Sequence, residues 1–314
     1  DWDLRLTGFQ SNANFEAGTY SWLGRRSGVD ISSNQGTGAG LLLLRVESLQ
    51  CTRSPMAQGA MLSVSTRLPD GRVLITGGVD SFSTADCEGC RWGMATRSTV
   101  IYDPVVGNFT PTAAMPSARV GHAAALDDRG RVVIIGGTNR IRLGGPLTID
   151  LGGSSLRDTV LIFDPVNERW IESEGLWGKR AFHTLTSLGD GSLVLAGGFA
   201  EEGRIHQDVL RLSVTEDSIR LAQAAEEMSC PRVGHQAFLY ASEVVFWGGS
   251  RCENSEQIAP EVWSPRAGIR IADAERWGSE ANLNFASSVE LQTGTFLVIG
   301  GAVYRDGALQ TPNR

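Results

Sequence analysis

Residues 119–137 read Arg119-Val-Gly-His-Ala-Ala-Ala-Leu-Asp-Asp-Arg-Gly-Arg-Val-Val-Ile-Ile-Gly-Gly137. An apolar tetrad, Val132 to Ile135, runs into a glycine doublet, and the turn pair Arg129-Gly130 stands just before it. The same order recurs along the chain. Doublets occur at Gly77-Gly78, Gly136-Gly137, Gly197-Gly198, Gly248-Gly249 and Gly300-Gly301, separated by 59, 61, 51 and 52 residues. Each closes a short run: Val73-Leu-Ile-Thr76, Val132-Val-Ile-Ile135, Leu193-Val-Leu-Ala196, Val244-Val-Phe-Trp247 and Phe296-Leu-Val-Ile299. Short apolar runs bounded by turn residues predict strands buried on both faces. Asp70-Gly71, Asp190-Gly191 and Thr293-Gly294 supply further turns of the tight hairpin kind.

Three doublets are preceded by a second motif: Arg119-Val-Gly-His122, Arg180-Ala-Phe-His183 and Arg232-Val-Gly-His235, each histidine 13 or 14 residues ahead. Downstream come Thr99-Val-Ile-Tyr-Asp-Pro104 and Thr159-Val-Leu-Ile-Phe-Asp-Pro165, with weaker forms at Asp208-Val-Leu-Arg-Leu212 and Pro260-Glu-Val-Trp-Ser-Pro265. A last strand opens near Asn108-Phe109 and near Glu168-Arg-Trp170. Each unit therefore has four strands, a to d, and none carries a long helical period. This series resembles kelch repeats, of the bacterial kind related to the central domain of galactose oxidase. The resemblance covers residues 55–314, with repeats at about 58–116, 117–176, 177–229, 230–279 and 280–314. It implies an all-β fold, a β-propeller of four-stranded blades around a channel. The doublets then supply unusual φ and close backbone approach. The repeated Arg and His read as structural positions of the blade rather than as a metal-binding ring.

The 314 residues are not a whole number of such units. The fifth repeat supplies strands a and b and then ends. Residues 1–54 hold no doublet, but short candidate strands lie near Leu4–Phe9, Tyr20–Leu23, Val29–Ile31 and Leu41–Val46. They form either a degenerate sixth blade, which we favour, or strands that complete the fifth blade of a five-bladed ring. The tail of a preceding sandwich domain is a third arrangement.

Composition sets outer bounds. Hydrophobic residues make up 41% and charged residues 20%, enough for a core. Glycine is high, at 38 residues, without a collagen period. A net charge of −7 argues against a general nucleic-acid or anionic-membrane binder. No apolar run approaches the roughly 20 residues of a membrane-spanning helix. Of 28 basic residues only Lys179 is lysine. The chain opens at Asp1 with no leader-like segment, so we expect a removed signal or a piece of a longer chain.

Strand directions alternate within a blade, so d–a and b–c connections share one face. The b–c segments, about 79–97, 138–157, 199–207 and 250–260, are long and dissimilar, whereas the a–b turns are short. Long irregular loops commonly carry function, and kelch propellers that bind proteins commonly use this face. The binding candidates are Arg91, Trp92, Arg140, Arg142, Glu201, Glu202 and Arg251, since Trp and Arg are enriched at interface hot spots. All five cysteines map to the same face. A Cys230–Cys252 disulfide is expected, worth roughly 3 kcal/mol by loop-closure entropy, with Cys51 pairing Cys87 or Cys90. Such pairs imply a secreted, periplasmic or cell-surface location in a bacterium.

Catalytic signatures are missing. Cys87-Glu-Gly-Cys90 has no helix after it to activate a thiolate and no second pair to complete a zinc site. Gly36-Thr-Gly-Ala-Gly40 reads as a turn. The copper residues of galactose oxidase cannot be carried onto this chain, and neither G-x-S-x-G nor H-E-x-x-H occurs. We therefore expect no cofactor, no metal and no catalytic set: a non-enzymatic exported propeller that binds a protein or glycan partner through its b–c/d–a face. The alternative is a carbohydrate-active enzyme of kelch fold, a sugar mutarotase or an oxidase. A spacer within a longer surface protein is a third expectation.

Overall fold

The computed structural model describes residues 2–8, 22–29, 44–45, 52–85, 91–144, 148–151, 155–175, 178–249, 259–277, 283–292, 295–299, 301–305 and 308–310. Four sheets follow the a-b-c-d order, all antiparallel. The first holds Val64–Arg67, Val73–Thr76, Thr99–Asp103 and Asn108–Pro111. The second holds Ala123–Leu126, Val132–Ile135, Val160–Asp164 and Arg169–Ser173. The third holds Thr184–Ser187, Ser192–Ala196, Asp208–Val214 and Ile219–Leu221, with Glu226–Glu227 pairing the start of strand c. The fourth holds Gln236–Tyr240, Glu243–Trp247, Glu261–Ser264 and Gly268–Ile271. The fifth repeat gives a two-stranded sheet, Ser287–Gln292 with Thr295–Ile299. Each apolar run is thus strand b, central in its sheet wherever c is present. The Asp-Pro motif makes the c–d turn: the Asp103 carboxylate accepts the Val105 N–H at 2.8 Å, and Asp164 accepts the Val166 N–H at 2.9 Å.

The N-terminal region forms a sheet of its own, Trp2–Gly8, Trp22–Val29 and Leu44–Arg45, in that order. Among the described residues this region has three strands, and the stretch expected near Val29–Ile31 is described only to Val29. Leu44–Arg45 pairs with Trp22–Leu23, inside this sheet.

Successive side chains of strand b face successive neighbours, as the period of two requires. Leu74 packs on Val132 and Ile134 of the second sheet. Val133 and Ile135 meet Leu193 and Leu195 of the third. Val194 and Ala196 meet Val244 and Phe246 of the fourth. Val245 joins the cluster against which Phe296 and Val298 of the fifth pack. The core is therefore a series of apolar layers between sheets.

The two repeat motifs form the joints between sheets. Arg119, Arg180 and Arg232 are fully buried. Each donates to the carbonyl of the first glycine of its own doublet: Gly136 at 2.9 Å, Gly197 at 3.1 Å and Gly248 at 3.0 Å. Each also reaches the start of strand c, at Thr159, Asp208 and Glu261 respectively. The main-chain carbonyl of the same arginine accepts the N–H of the second glycine in the preceding blade: Gly78 at 2.9 Å, Gly137 at 2.8 Å and Gly198 at 2.8 Å. Glycine is required in these doublets on two counts. The first residue has φ near +60°, and a Cβ on Gly77, Gly136 or Gly197 would lie 2.4 Å from the next blade's arginine carbonyl oxygen.

The histidines sit behind the preceding doublet rather than converging on the channel, with ring Cε1 2.8–2.9 Å from where those Cβ atoms would stand. His122 Nε2 meets Thr76 Oγ1 at 2.9 Å and His235 Nε2 meets Thr184 Oγ1 at 2.8 Å, both across a blade boundary. His183 has no such partner at either ring nitrogen. Ala123 and Ile135 face each other at the register pair that holds a threonine in the other two blades. His183→Leu should therefore destabilise the fold less than His122→Leu, by about 1 kcal/mol, one net hydrogen bond. Urea unfolding of the two variants checks this, and equal losses would sink the explanation.

Candidate binding face

Two of the b–c connections are not the irregular loops expected from sequence. Val79–Ser83 and Arg91–Ala95 form a hairpin in the first repeat, and Arg140–Gly144 and Thr148–Asp150 form one in the second. The hairpins pair with each other, Arg142 opposite Trp92 and Arg140 opposite Met94, to make a four-stranded antiparallel sheet on the b–c/d–a face. The signal was present: Arg140-Ile-Arg-Leu143 alternates polar and apolar, as a half-buried strand does. Ile141 is fully buried with Val79 and Val120, which fixes the sheet to the blades beneath.

This pairing changes the role of two candidates. Trp92 is only 6% exposed, and the Arg140 guanidinium lies 4.1 Å from its ring centroid. The two stack on one another as neighbouring strands bring them together, a cation–π contact that holds the hairpins in register. Arg91 is exposed at the start of its strand and Arg142 is half-buried beside Trp92. Glu201 and Glu202 stand apart from these, exposed on a single 3-10 turn, Glu201–Gly203. Glu201 accepts from Lys179 Nζ at 2.9 Å. Arg251 lies outside the described residues. Cys230 is buried and disulfide-bonded. Cys252, its expected partner, and Cys51, Cys87 and Cys90 lie outside the described residues, as does Gly300.

Sequence reasoning missed the channel mouth. The third position of the Arg-x-x-His motif has positive φ in every blade: Leu62, Gly121, Phe182, Gly234 and Phe285. The Phe182 N–H donates to Gly121 O at 2.6 Å, Gly234 to Phe182 O at 3.1 Å and Phe285 to Gly234 O at 2.8 Å, a backbone relay from blade to blade. The Phe182 ring lies over Gly121 and the Phe285 ring over Gly234. The two rings meet edge to face, centroids 5.4 Å apart, and Phe199 lies 6.2 Å from Phe182. All three are half-exposed. Phe182 also packs on the Val79–Val120–Ile141 cluster, so the phenyl group is continuous with the foot of the hairpin sheet. The clue lay in aligning the repeats, where phenylalanine and glycine alternate at one column.

One titratable group on this face is distinctive. His206 is partly exposed, its Nδ1 3.7 Å from Asp208, which the Arg180 guanidinium holds in a bidentate ion pair. Burial first, then the Arg180 charge, hold its imidazole below the ordinary range. Among the described residues no three His, Cys, Asp or Glu side chains are grouped to hold a metal ion.

Four-stranded sheets in series, joined through Arg-x-x-His and Gly-Gly, define a kelch-repeat β-propeller. Comparison with known proteins places its likeness. Alpha-scruin of Limulus polyphemus is 27% identical over 154 residues, 48% of this chain and 16% of that protein. Kelch-like protein 15 of Danio rerio is 30% identical over 107 residues, 33% and 15% of the two chains. Adagio-like protein 3 of Oryza sativa subsp. japonica is 25% identical over 206 residues, 60% and 30%. The chain thus spans less than a third of the length of these curated relatives. The solved structure of YjhT superposes with a TM-score of 0.62 over 93% of this chain and 91% of that one, at 14% identity, a likeness of fold. No protein-family model matches the chain.

Proposed function

We infer that this propeller is a protein-interaction module whose partner seats on the b–c/d–a face. One observation carries the reading: the connections there are built into a hydrogen-bonded four-stranded sheet running into half-exposed phenyl rings at the channel mouth. A preorganised surface loses little entropy on binding, and an aromatic centre with an arginine rim matches hot-spot anatomy. Phe199 and the exposed Arg91 are its accessible elements. Phe199→Asp and Arg91→Glu are each expected to weaken capture of the partner at least tenfold, about 1.4 kcal/mol. Val166→Asp, at an exposed position of a c–d turn on the opposite face, should leave capture unchanged. Loss of capture in the Val166 variant alone would move the interface to that other face. The reading includes a glycan partner, for which the same variants on a glycan array give the answer.

The reading includes export to an oxidising compartment, which the bonded state of Cys230 supports. A non-reducing peptide map should link the peptides of Cys230 and Cys252. Linkage of Cys230 to Cys51, Cys87 or Cys90 would refute that pairing. His206 favours a second reading, a carbohydrate-active enzyme, because a partly exposed neutral imidazole on the b–c/d–a face can accept a proton. Turnover of a reducing sugar that His206→Asn abolishes would replace the binding role.

A further inference from the structure

The joints between blades supply an internal standard for how exposed a given repeat position should be. At the second position of the Arg-x-x-His motif, Val120, Ala181, Val233 and Asn284 are 0–2% exposed, but Met61 of the first blade is 50% exposed. In strand b, Val133, Val194 and Val245 are 0–1% exposed, but Leu297 of the fifth repeat is 41% exposed. Leu297 points away from Phe296 and Val298, which pack on the fourth sheet, so it faces whatever follows the fifth. Val73 and Ile75 of the first blade point away from Leu74 and face whatever precedes it. Both are half-buried, whereas Val132, Ile134, Leu193, Leu195, Val244 and Phe246, their counterparts, are fully buried.

The first and fifth sheets therefore each present an apolar face, and neither covers the other. Direct packing, at the roughly 10 Å spacing of stacked sheets, would bury Leu297, Val73 and Ile75 together. Strands added to the edge of Thr295–Ile299 would widen the fifth sheet without covering the face that carries Leu297. A layer between the two sheets satisfies both. We propose that the N-terminal sheet of Trp2–Gly8, Trp22–Val29 and Leu44–Arg45 is that layer, a sixth blade that packs its two faces on the first and fifth sheets and closes the ring. It immediately precedes the first blade in sequence, and consecutive elements are usually spatial neighbours. The 18 residues between Arg45 and Val64 can extend to roughly 60 Å, ample to reach the gap. Its strands are antiparallel, as are those of the first and fifth sheets.

The test uses the full chain with photoreactive benzoylphenylalanine in place of Leu297. Irradiation should cross-link this position to residues between 2 and 45 of the same chain, in a species that sediments as a monomer. In parallel, Leu297→Glu should speed amide hydrogen exchange in residues 2–8 and 22–29 at least tenfold, while Val166→Glu does not. Cross-links to the strand holding Val73 and Ile75 would mean a five-bladed ring and overturn the proposal. Cross-links between two chains would mean that a second copy occupies the face. A residue at 297 that forms no cross-link, with exchange unchanged in the glutamate variant, would equally overturn it.

Discussion

Arg232→Leu should lower the stability of the folded chain by about 3–5 kcal/mol, the range for removing one partner of a buried ion pair. Arg232 is fully buried and donates to Gly248 O, Ala259 O and the Glu261 carboxylate, the last at 2.6 Å, and Glu261 is itself buried. The leucine would leave an uncompensated carboxylate and two carbonyls without their donor. Arg232→Leu with Glu261→Leu should recover part of the loss, because the stranded charge goes with the arginine. Equilibrium urea unfolding of the two variants and the parent checks both steps. A single variant within about 1 kcal/mol of the parent would show that the joint is held elsewhere. Arg180 provides the contrast: Asp208 is partly solvated, so its loss leaves a charge that water can still reach, and a smaller effect is expected.

The second large effect is acid unfolding. Burial first, then the neighbouring Arg119 and Arg232 guanidinium groups, push the His122 and His235 imidazoles down to about 3. His183 is also driven well below the ordinary value, by burial and then Arg180. The unfolded chain takes up these protons near pH 6.5, whereas the folded chain refuses them. The stability these groups contribute is thus complete above about pH 6.5 and lost as pH falls toward 3. Each bound proton is worth about 1.4 kcal/mol per pH unit, so three together approach a slope of roughly 4 kcal/mol per unit. Urea midpoints measured between pH 7.5 and 4.5 should fall steeply, and His183→Leu should remove about one proton from the slope. A flat profile across that window would show that the imidazoles titrate normally.

Much of the blade was legible because its chemistry is local. Gly-Gly, Asp-Pro and the turn glycines mark positions where φ or a hydrogen-bonded turn dictates the residue, and strands b and c carry continuous apolar runs. The b–c/d–a face was only half legible. Arg91, Trp92, Arg140 and Arg142 stand on paired strands of one sheet. That Arg140 stacks on Trp92 depends on pairing between hairpins of different repeats, more than 40 residues apart, which no local pattern announces. The phenyl group at the channel mouth escaped for a similar reason. Phe182 and Phe285 look like ordinary apolar residues until the column they share with Gly121 and Gly234 is seen to lie at positive φ, each ring over the preceding blade's glycine.

The arginine–glycine joint has a consequence for how such a chain can grow. The second, third and fourth repeats each carry both halves of the coupling, a plug at the start and a socket at the end of the second strand, whereas the first has Ala60 and Ser63 in place of the plug. Any of these three therefore fits any other, and an extra copy of one spliced between them arrives with its own matched fittings. The fifth repeat has lost the plug, with Leu283 and Ala286 where arginine and histidine stand elsewhere, yet its Leu283 carbonyl still takes the N–H of Gly249 at 3.0 Å. The main chain alone keeps the fitting usable after the side chains have drifted. Blade number is then set by how many copies are strung together, while the surface loops diverge without disturbing the coupling.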